Sequence, residues 1–144
     1  MARTILLVED SSEAVELSKG AFSECENGAE LVVAYDGEDA LDWLFGTGRH
    51  AGRRIEKRPD LVLLDIRLPR IDGFEVLRRI RADERTSMVP VVMLTVSSNR
   101  SDIAAAYRLG ANSFLVKPVD YDEYTELVAR VCHYWFENNE SAYR

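Results

Sequence analysis

The residues best equipped for chemistry in this 144-residue chain are four oxygen-bearing side chains and one more that ends in an ammonium, and each stands at the end of a short apolar run. Glu9 and Asp10 close "TILLVED", Asp65 closes "LVLLD", Thr95 ends "VVMLT", and Lys117 follows "SFLV" directly before Pro118. Brought to one edge of a sheet, three carboxylates repel one another by about 4 kcal/mol per pair at about 4 Å in an effective dielectric of roughly 20. A hard divalent cation removes that cost, and Mg²⁺ needs only one or two carboxylates because it keeps several waters. A hydroxyl and an ammonium converging on the same place make a cradle for a tetrahedral anion. Taken singly, each residue has a plainer use: Glu9 and Asp10 as a helix-capping loop, Thr95 as a β-branched strand residue, Lys117 as a surface lysine. Taken together, they read as a site.

Such a site requires strands that end side by side. The unbroken aliphatic run 61–64 is typical of a strand buried on both faces, as in a parallel sheet covered by two helix layers. Similar runs occupy 4–9, 30–35, 91–96 and 113–116. Between them the apolar spacing turns helical. Residues 12–26 place Ala14, Leu17, Ala21 and Cys25 on one face; 38–45 carry Leu41, Leu44 and Phe45; Phe74, Leu77 and Ile80 mark a third helix, and Ile103 with Tyr107 a fourth. Tyr124, Leu127, Val128, Val131 and Trp135 form the last stripe. Five alternations of strand and helix imply right-handed crossovers and an α/β, flavodoxin-like (βα)5 doubly wound sandwich, its parallel five-stranded sheet in the order 2-1-3-4-5. In that order strands 1 and 3 are neighbours, so Glu9, Asp10 and Asp65 meet. Residues 1–136 read as one domain and 137–144, "ENNESAYR", as a loosely held polar tail.

A net charge of −7 argues against general nucleic-acid binding. The segment "GTGRHAGRRIEKRPD" is a local exception, with Arg49, Arg53, Arg54, Lys57 and Arg58; it reads as a solvated loop or as a contact for an anionic partner. Cys25 and Cys132 show neither metal-ligand spacing nor a disulfide framework, so both read as small core residues in a reducing cytoplasm. No stretch is long and apolar enough for a signal peptide or a membrane span.

"ILLVED", "LVLLDIRLPRIDGFEVL", "PVVMLT" and "GANSFLVKP" together resemble the signature blocks of response-regulator receiver domains of two-component signalling, over nearly the whole chain. The resemblance implies that Asp65 accepts a phosphoryl group. It implies that Glu9 and Asp10 form an acidic pair, and that Asp10, Asp65 and the backbone carbonyl of Arg67 hold Mg²⁺. Thr95 and Lys117 would bind phosphoryl oxygens, and the Lys117–Pro118 bond would be cis. Phe114 would couple to Thr95 as the switch aromatic, without the hydroxyl that would secure either state. By the same resemblance the chain is a switch whose only catalysis is its own phosphorylation and dephosphorylation, loaded by a sensor histidine kinase and acting on a downstream protein or a histidine phosphotransfer protein.

Rival readings lack their residues. A flavodoxin would need hydroxyls and amides where two carboxylates stand, a P-loop nucleotidase its Gly-Lys-Ser/Thr, and a dehalogenase-type phosphatase an aspartate where Arg67 stands. A receiver-like scaffold that works without phosphorylation would lack the acceptor, a metal ligand or the lysine, and all are present. The long basic connection and the aromatic "HYWF" resemble single-domain regulators paired with bacterial phytochrome kinases. Helical spacing sets Tyr134 and Phe136 on opposite flanks of the last core stripe, an expected homodimer contact through the last strand and helices. Val96 and Arg67 are expected to crowd the water that would hydrolyse an acyl phosphate.

Overall fold

The computed structural model describes residues 3–24 and 29–143. Its strands are β1 (Thr4–Val8), β2 (Glu30–Ala34), β3 (Leu61–Leu64), β4 (Val91–Thr95) and β5 (Ser113–Val116), and its helices are α1 (Ser12–Ser23), α2 (Gly37–Phe45), α3 (Gly73–Ala82), α4 (Arg100–Arg108) and α5 (Tyr121–Cys132). All four pairings are parallel, and the sheet order is β2-β1-β3-β4-β5. The architecture is the flavodoxin-like sandwich that the alternation predicts.

Every residue of β3 and β4 is buried, because the pleat sends successive side chains into two different layers. Leu6, Val8, Val62, Leu64 and Met93 meet Leu41, Val76, Leu77 and Ile80 on the side of α2 and α3. Ile5, Leu7, Leu63, Val92 and Leu94 meet Phe22, Tyr124, Val128 and Val131 on the side of α1 and α5. Each large aliphatic side chain so covered stabilises the fold by about 1.5–3 kcal/mol. The two layers clamp the strands, and the strands hold their carboxyl ends level.

All five helices begin just past that carboxyl edge, each with a polar N-cap. Ser11, Asp36, Asp72, Asn99 and Asp120 each accept a backbone N–H of the first turn. Such a cap is worth about 1 kcal/mol and fixes where the helix starts. The connections that carry functional side chains are therefore short and well anchored.

The helix faces differ from the expected ones in places. In α1 the buried set is Val15, Ser18, Ala21 and Phe22, while Leu17 is exposed. Ser18 turns inward although polar, because its hydroxyl donates to the Ala14 carbonyl (2.8 Å) and meets the Tyr124 hydroxyl (2.6 Å). Cys25 lies outside the described residues. In α4 only Ala106 is fully buried, and Tyr107 is half exposed.

After α5 the chain continues into a π-helical turn, His133–Asn138. Its wider winding breaks the 100° spacing on which the flanking positions of Tyr134 and Phe136 rest. Tyr134 is 52% exposed, but Phe136 is 4% exposed, set in the core with the Arg3 guanidinium 5.3 Å from its ring centre. Of the two flanking aromatics, then, only Tyr134 offers a surface. Cys132 is buried and disulfide-bonded, not the free core thiol that its spacing suggested. The tail is also tied down: Tyr143 packs against the α2–α3 core, its hydroxyl accepts the Met88 N–H (3.0 Å), and the Arg58 guanidinium lies 4.4 Å from its ring centre.

Candidate functional site

Four strand ends converge at the carboxyl edge of the sheet. Glu9 and Asp10 follow β1, Asp65 follows β3, Thr95 ends β4 and Lys117 follows β5. The register of the strands makes this meeting unavoidable, since Val8 pairs with Leu64 and Thr95 with Val116. Glu9, Asp65 and Thr95 are buried while Asp10 is exposed, so the site is a shallow well with one open wall. One oxygen from each of Glu9, Asp10 and Asp65 lies within 4.8 Å of the others.

The Lys117 ammonium reaches across from β5. It donates to Glu9 Oε1 and to Asp65 Oδ2 (3.2 Å). Burial disfavours that ammonium, but its hydrogen bond to Glu9 and the charges of Asp65 and Glu9 prevail, and its pKa stands above the ordinary lysine value. Lys117 stays charged. Glu9 is pushed above the ordinary carboxylate range, chiefly by burial, with Lys117 pulling the other way. Three carboxylates against one ammonium leave the well with a formal charge of −2.

Backbone amides fix the orientation of the two buried carboxylates. Ile66 N–H donates to Asp65 Oδ1 (2.7 Å) and Ser11 N–H to Glu9 Oε2 (3.2 Å), which turns both carboxylates toward Lys117. Asp10 has no hydrogen bond or ion pair among the described residues. The Lys117 N–H donates to the Thr95 carbonyl (2.7 Å), which holds the β5 exit against β4. The described chain contains no cis peptide bond, so Lys117–Pro118 is trans, contrary to expectation. Trans is the lower-energy form of an X–Pro bond by about 0.5–1 kcal/mol, and from it Lys117 already reaches both carboxylates.

The loop from β3 to α3 closes over Asp65. Gly73 N–H donates to the Ile66 carbonyl (2.8 Å), and a Cβ on Gly73 would sit 2.0 Å from the Asp65 carbonyl oxygen. Only glycine allows this approach. A second close approach, of Gly37 to the Ile71 carbonyl, lays the start of α2 against the same loop. Arg67 is exposed and, with Asp10, Pro69, Phe74 and Asp102, lines a cleft of about 490 Å³ beside the well. Phe114 is half-buried against the α2–α3 layer, on the same face of the sheet as Thr95 and one strand away. Val96 is 75% exposed.

Sequence reasoning did not find Ser97 and Asp102. Ser97 N–H donates to Thr95 Oγ1 (3.4 Å), and its hydroxyl donates to Asp102 Oδ2 (2.7 Å) in the first turn of α4. A short polar chain thus runs from the Thr95 hydroxyl to α4. The only trace in the sequence is a serine five residues before an aspartate, which has no distinguishing period.

The arrangement has close counterparts in known proteins. The chain is 38% identical to the probable methanogenesis regulatory protein FilR2 of Methanothrix harundinacea, over 95% of this chain and 86% of that one. It is 34% identical to response regulator Rcp1 of Synechocystis, over 94% and 90%, and the Mn²⁺-bound form of Rcp1 superposes with a TM-score of 0.89 at 33% identity, covering 96% and 98%. The phosphorylated cyanobacterial phytochrome response regulator RcpA superposes with a TM-score of 0.92 at 32% identity, over 99% of both chains. The family model of the response regulator receiver domain matches residues 5–129, which takes in all four converging strand ends and every helix but the close of α5. This chain belongs to the response regulator receiver domain family.

Proposed function

We propose that the protein is a single-domain response regulator that takes a phosphoryl group from the phosphohistidine of a sensor kinase onto Asp65. The observation that carries this reading is the convergence of Lys117 on Asp65 within an acidic well whose remaining charge is negative. In the transfer a carboxylate oxygen of Asp65 forms the new P–O bond as the P–N bond of the donor breaks, and water later returns the carboxylate by hydrolysis. Lys117 and the Thr95 hydroxyl offset charge on the phosphoryl oxygens, while Ile66 N–H holds Asp65 in line.

The donor set fits a hard divalent cation: three carboxylates, two of them buried, with only one ammonium among them. Asp10, free of other partners among the described residues, and Asp65 would hold it with the Arg67 carbonyl, and Glu9, tied to Lys117, would complete the acidic wall. Mg²⁺ bound there supplies the charge neutralisation that lets an anionic donor approach three carboxylates. That a relative is described in a Mn²⁺-bound form supports a metal at this place.

The partner we propose is a sensor histidine kinase of the bacterial phytochrome type, supported by the likeness to a cyanobacterial phytochrome response regulator over 99% of both chains. Output passes to a downstream protein or a histidine phosphotransfer protein, with Thr95 and Phe114 as the moving pair. We place the protein in the cytoplasm, where such kinases spend ATP. Disulfide-bonded Cys132 lends no support to a reducing compartment; among the described residues no helix is long and apolar enough to cross a membrane. We place a homodimer contact on the face that carries exposed Tyr134 and β5.

Acetyl phosphate supplies the test. With Mg²⁺ the wild type gains one phosphoryl group by intact mass, and chelation of the metal or Asp65→Asn abolishes the gain. A fully labelled Asp65→Asn protein would refute the assignment and leave the phosphorylation-independent scaffold as the better reading.

A further inference from the structure

The basic connection between α2 and β3 has no part in the chemistry above, yet it builds a surface of its own. In a chain of net charge −7 it gathers Arg49, Arg53, Arg54, Lys57 and Arg58 within ten residues. Arg49 pairs with Asp39 (3.6 Å), and Arg58 donates to the Arg85 carbonyl. Among the described residues Arg53, Arg54 and Lys57 have no carboxylate within ion-pair distance. The Arg53 guanidinium lies 3.6 Å from the centre of the Trp43 ring and is half-buried, with Nη2 donating to the Lys57 carbonyl (2.6 Å). Its other terminal nitrogen, Nη1, is buried with no hydrogen-bond partner among the described residues. Burial lowers the pKa of Arg53, with the charge of neighbouring Glu56 pulling weakly the other way. An orphaned guanidinium N–H is costly unless an acceptor arrives.

These groups line a cleft of about 380 Å³ whose floor is Val32 and Trp43, whose basic wall is Arg53, Arg54 and Lys57, and whose far end is Glu30. The floor is apolar and the wall cationic, which suits a side chain lying beside carboxylates. The cleft also borders β2, the edge strand of the sheet. Because Glu30 N–H and the Ala34 carbonyl are bonded inward to the β1 side, the main-chain groups of Leu31 and Val33 face outward. An extended segment can therefore run along this edge while its carboxylates meet the basic wall.

We infer that this cleft is a docking site for an acidic, extended segment of a partner protein, on a part of the molecule built separately from the phosphorylation site. Nucleic acid fits it less well, because three cations without an ion-pair partner among the described residues are few and the chain as a whole is acidic. Charge complementarity and the strand edge select the peptide. Glu30 sets its direction, with the acidic residues at the Arg53 end.

The test uses the full chain with Trp135→Phe, so that fluorescence reports Trp43 alone. The probe is a fluorescein-labelled peptide of alternating glutamate and threonine at low ionic strength, and its counterparts are a lysine–threonine peptide, a thymidine oligonucleotide and phosphatidylserine vesicles. Saturable binding of the acidic peptide with a change in Trp43 emission is expected, weakened about tenfold by Arg54→Glu with Lys57→Glu. Both substituted residues are exposed, so the variant keeps the wild-type melting temperature, and Asp65→Asn leaves binding unchanged. The inference is overturned if the acidic peptide does not saturate, if the charge-reversed variant binds it equally, or if the oligonucleotide or vesicles match it in moving Trp43 emission.

Discussion

Replacing Gly73 by alanine probes the contact that seats the β3–α3 loop over Asp65. The added Cβ would stand 2.0 Å from the Asp65 carbonyl oxygen and 2.9 Å from Ile66 Cα, and both are backbone atoms that no rotamer change can move. Relief requires the loop to lift, at a cost of about 1–3 kcal/mol for overpacking. Lifting also breaks the Gly73 N–H bond to the Ile66 carbonyl, 2.8 Å long and worth about 1 kcal/mol. Alanine returns up to about 1 kcal/mol in helix propensity, less at the first helical position. The net loss is about 2–3 kcal/mol, which lowers the melting temperature by roughly 5–10 °C in a chain of this size. A displacement of about 1 Å at Asp65 further slows acetyl phosphate labelling on the order of 100-fold.

Gly20→Ala is the matched control. There the new Cβ would lie 3.7 Å from the Tyr121 hydroxyl, an ordinary contact, in the last turn of α1. Alanine should stabilise the helix by about 0.5–1 kcal/mol. Thermal melts followed by circular dichroism separate the two, with one substitution falling and the other rising. If Gly73→Ala melts with the wild type and labels at its rate, the loop is not seated by this contact.

The guanidinium of Arg81 donates to the carbonyls of Gly110 (2.9 Å), Ser87 (3.2 Å) and Val89 (2.7 Å) and to Asn112 Oδ1 (2.8 Å), so Arg81→Met should cost about 2–4 kcal/mol in urea unfolding, and a loss under about 1 kcal/mol would contradict that role. Arg67 lines the cleft beside Asp65 whereas Val96 faces solvent, so Arg67→Ala should hasten loss of the phosphoryl group, by up to about 100-fold, and Val96→Ala should hasten it less; equal decay in both variants and the wild type excludes steric shielding. Glu75 titrates at about 2 instead of 4.5, because Arg78 and then Arg79 hydrogen-bond its carboxylate. A depressed carboxylate pKa gives stability that is present above about pH 4.5 and lost as pH falls through about 2. The melting-temperature lead of the wild type over Glu75→Gln should therefore shrink across that window, and a constant lead would show that the pair is energetically silent.

What the sequence made legible follows from period. Asp65, Thr95 and Lys117 each end a run whose side chains alternate between two apolar layers, so burial alone places them at one edge. Contacts without a period were hidden. The buried face of α1 was misplaced by the apolar spacing because Ser18 belongs to it, its polarity offset by two short hydrogen bonds. Phe136 looked exposed because the 100° step does not hold through a π-helical turn. The isomer at Pro118 was a choice between states about 0.5–1 kcal/mol apart, which local sequence cannot decide.

Glu9 shows how the two kinds of information meet. The apolar run of β1 sets its position, but its neighbours set its work. Both of its oxygens are engaged, one by Ser11 N–H and one by Lys117, while adjacent Asp10 has no such bond among the described residues. A glutamate has one more methylene than an aspartate, which lets its carboxylate reach across to the β5 lysine from inside the well. The exposed aspartate beside it is left to the open wall. Exchanging the two acids would keep the charge and the apolar pattern of the sequence. It would withdraw the carboxylate from Lys117 and leave a buried ammonium held by Asp65 alone, an ion pair short of one partner.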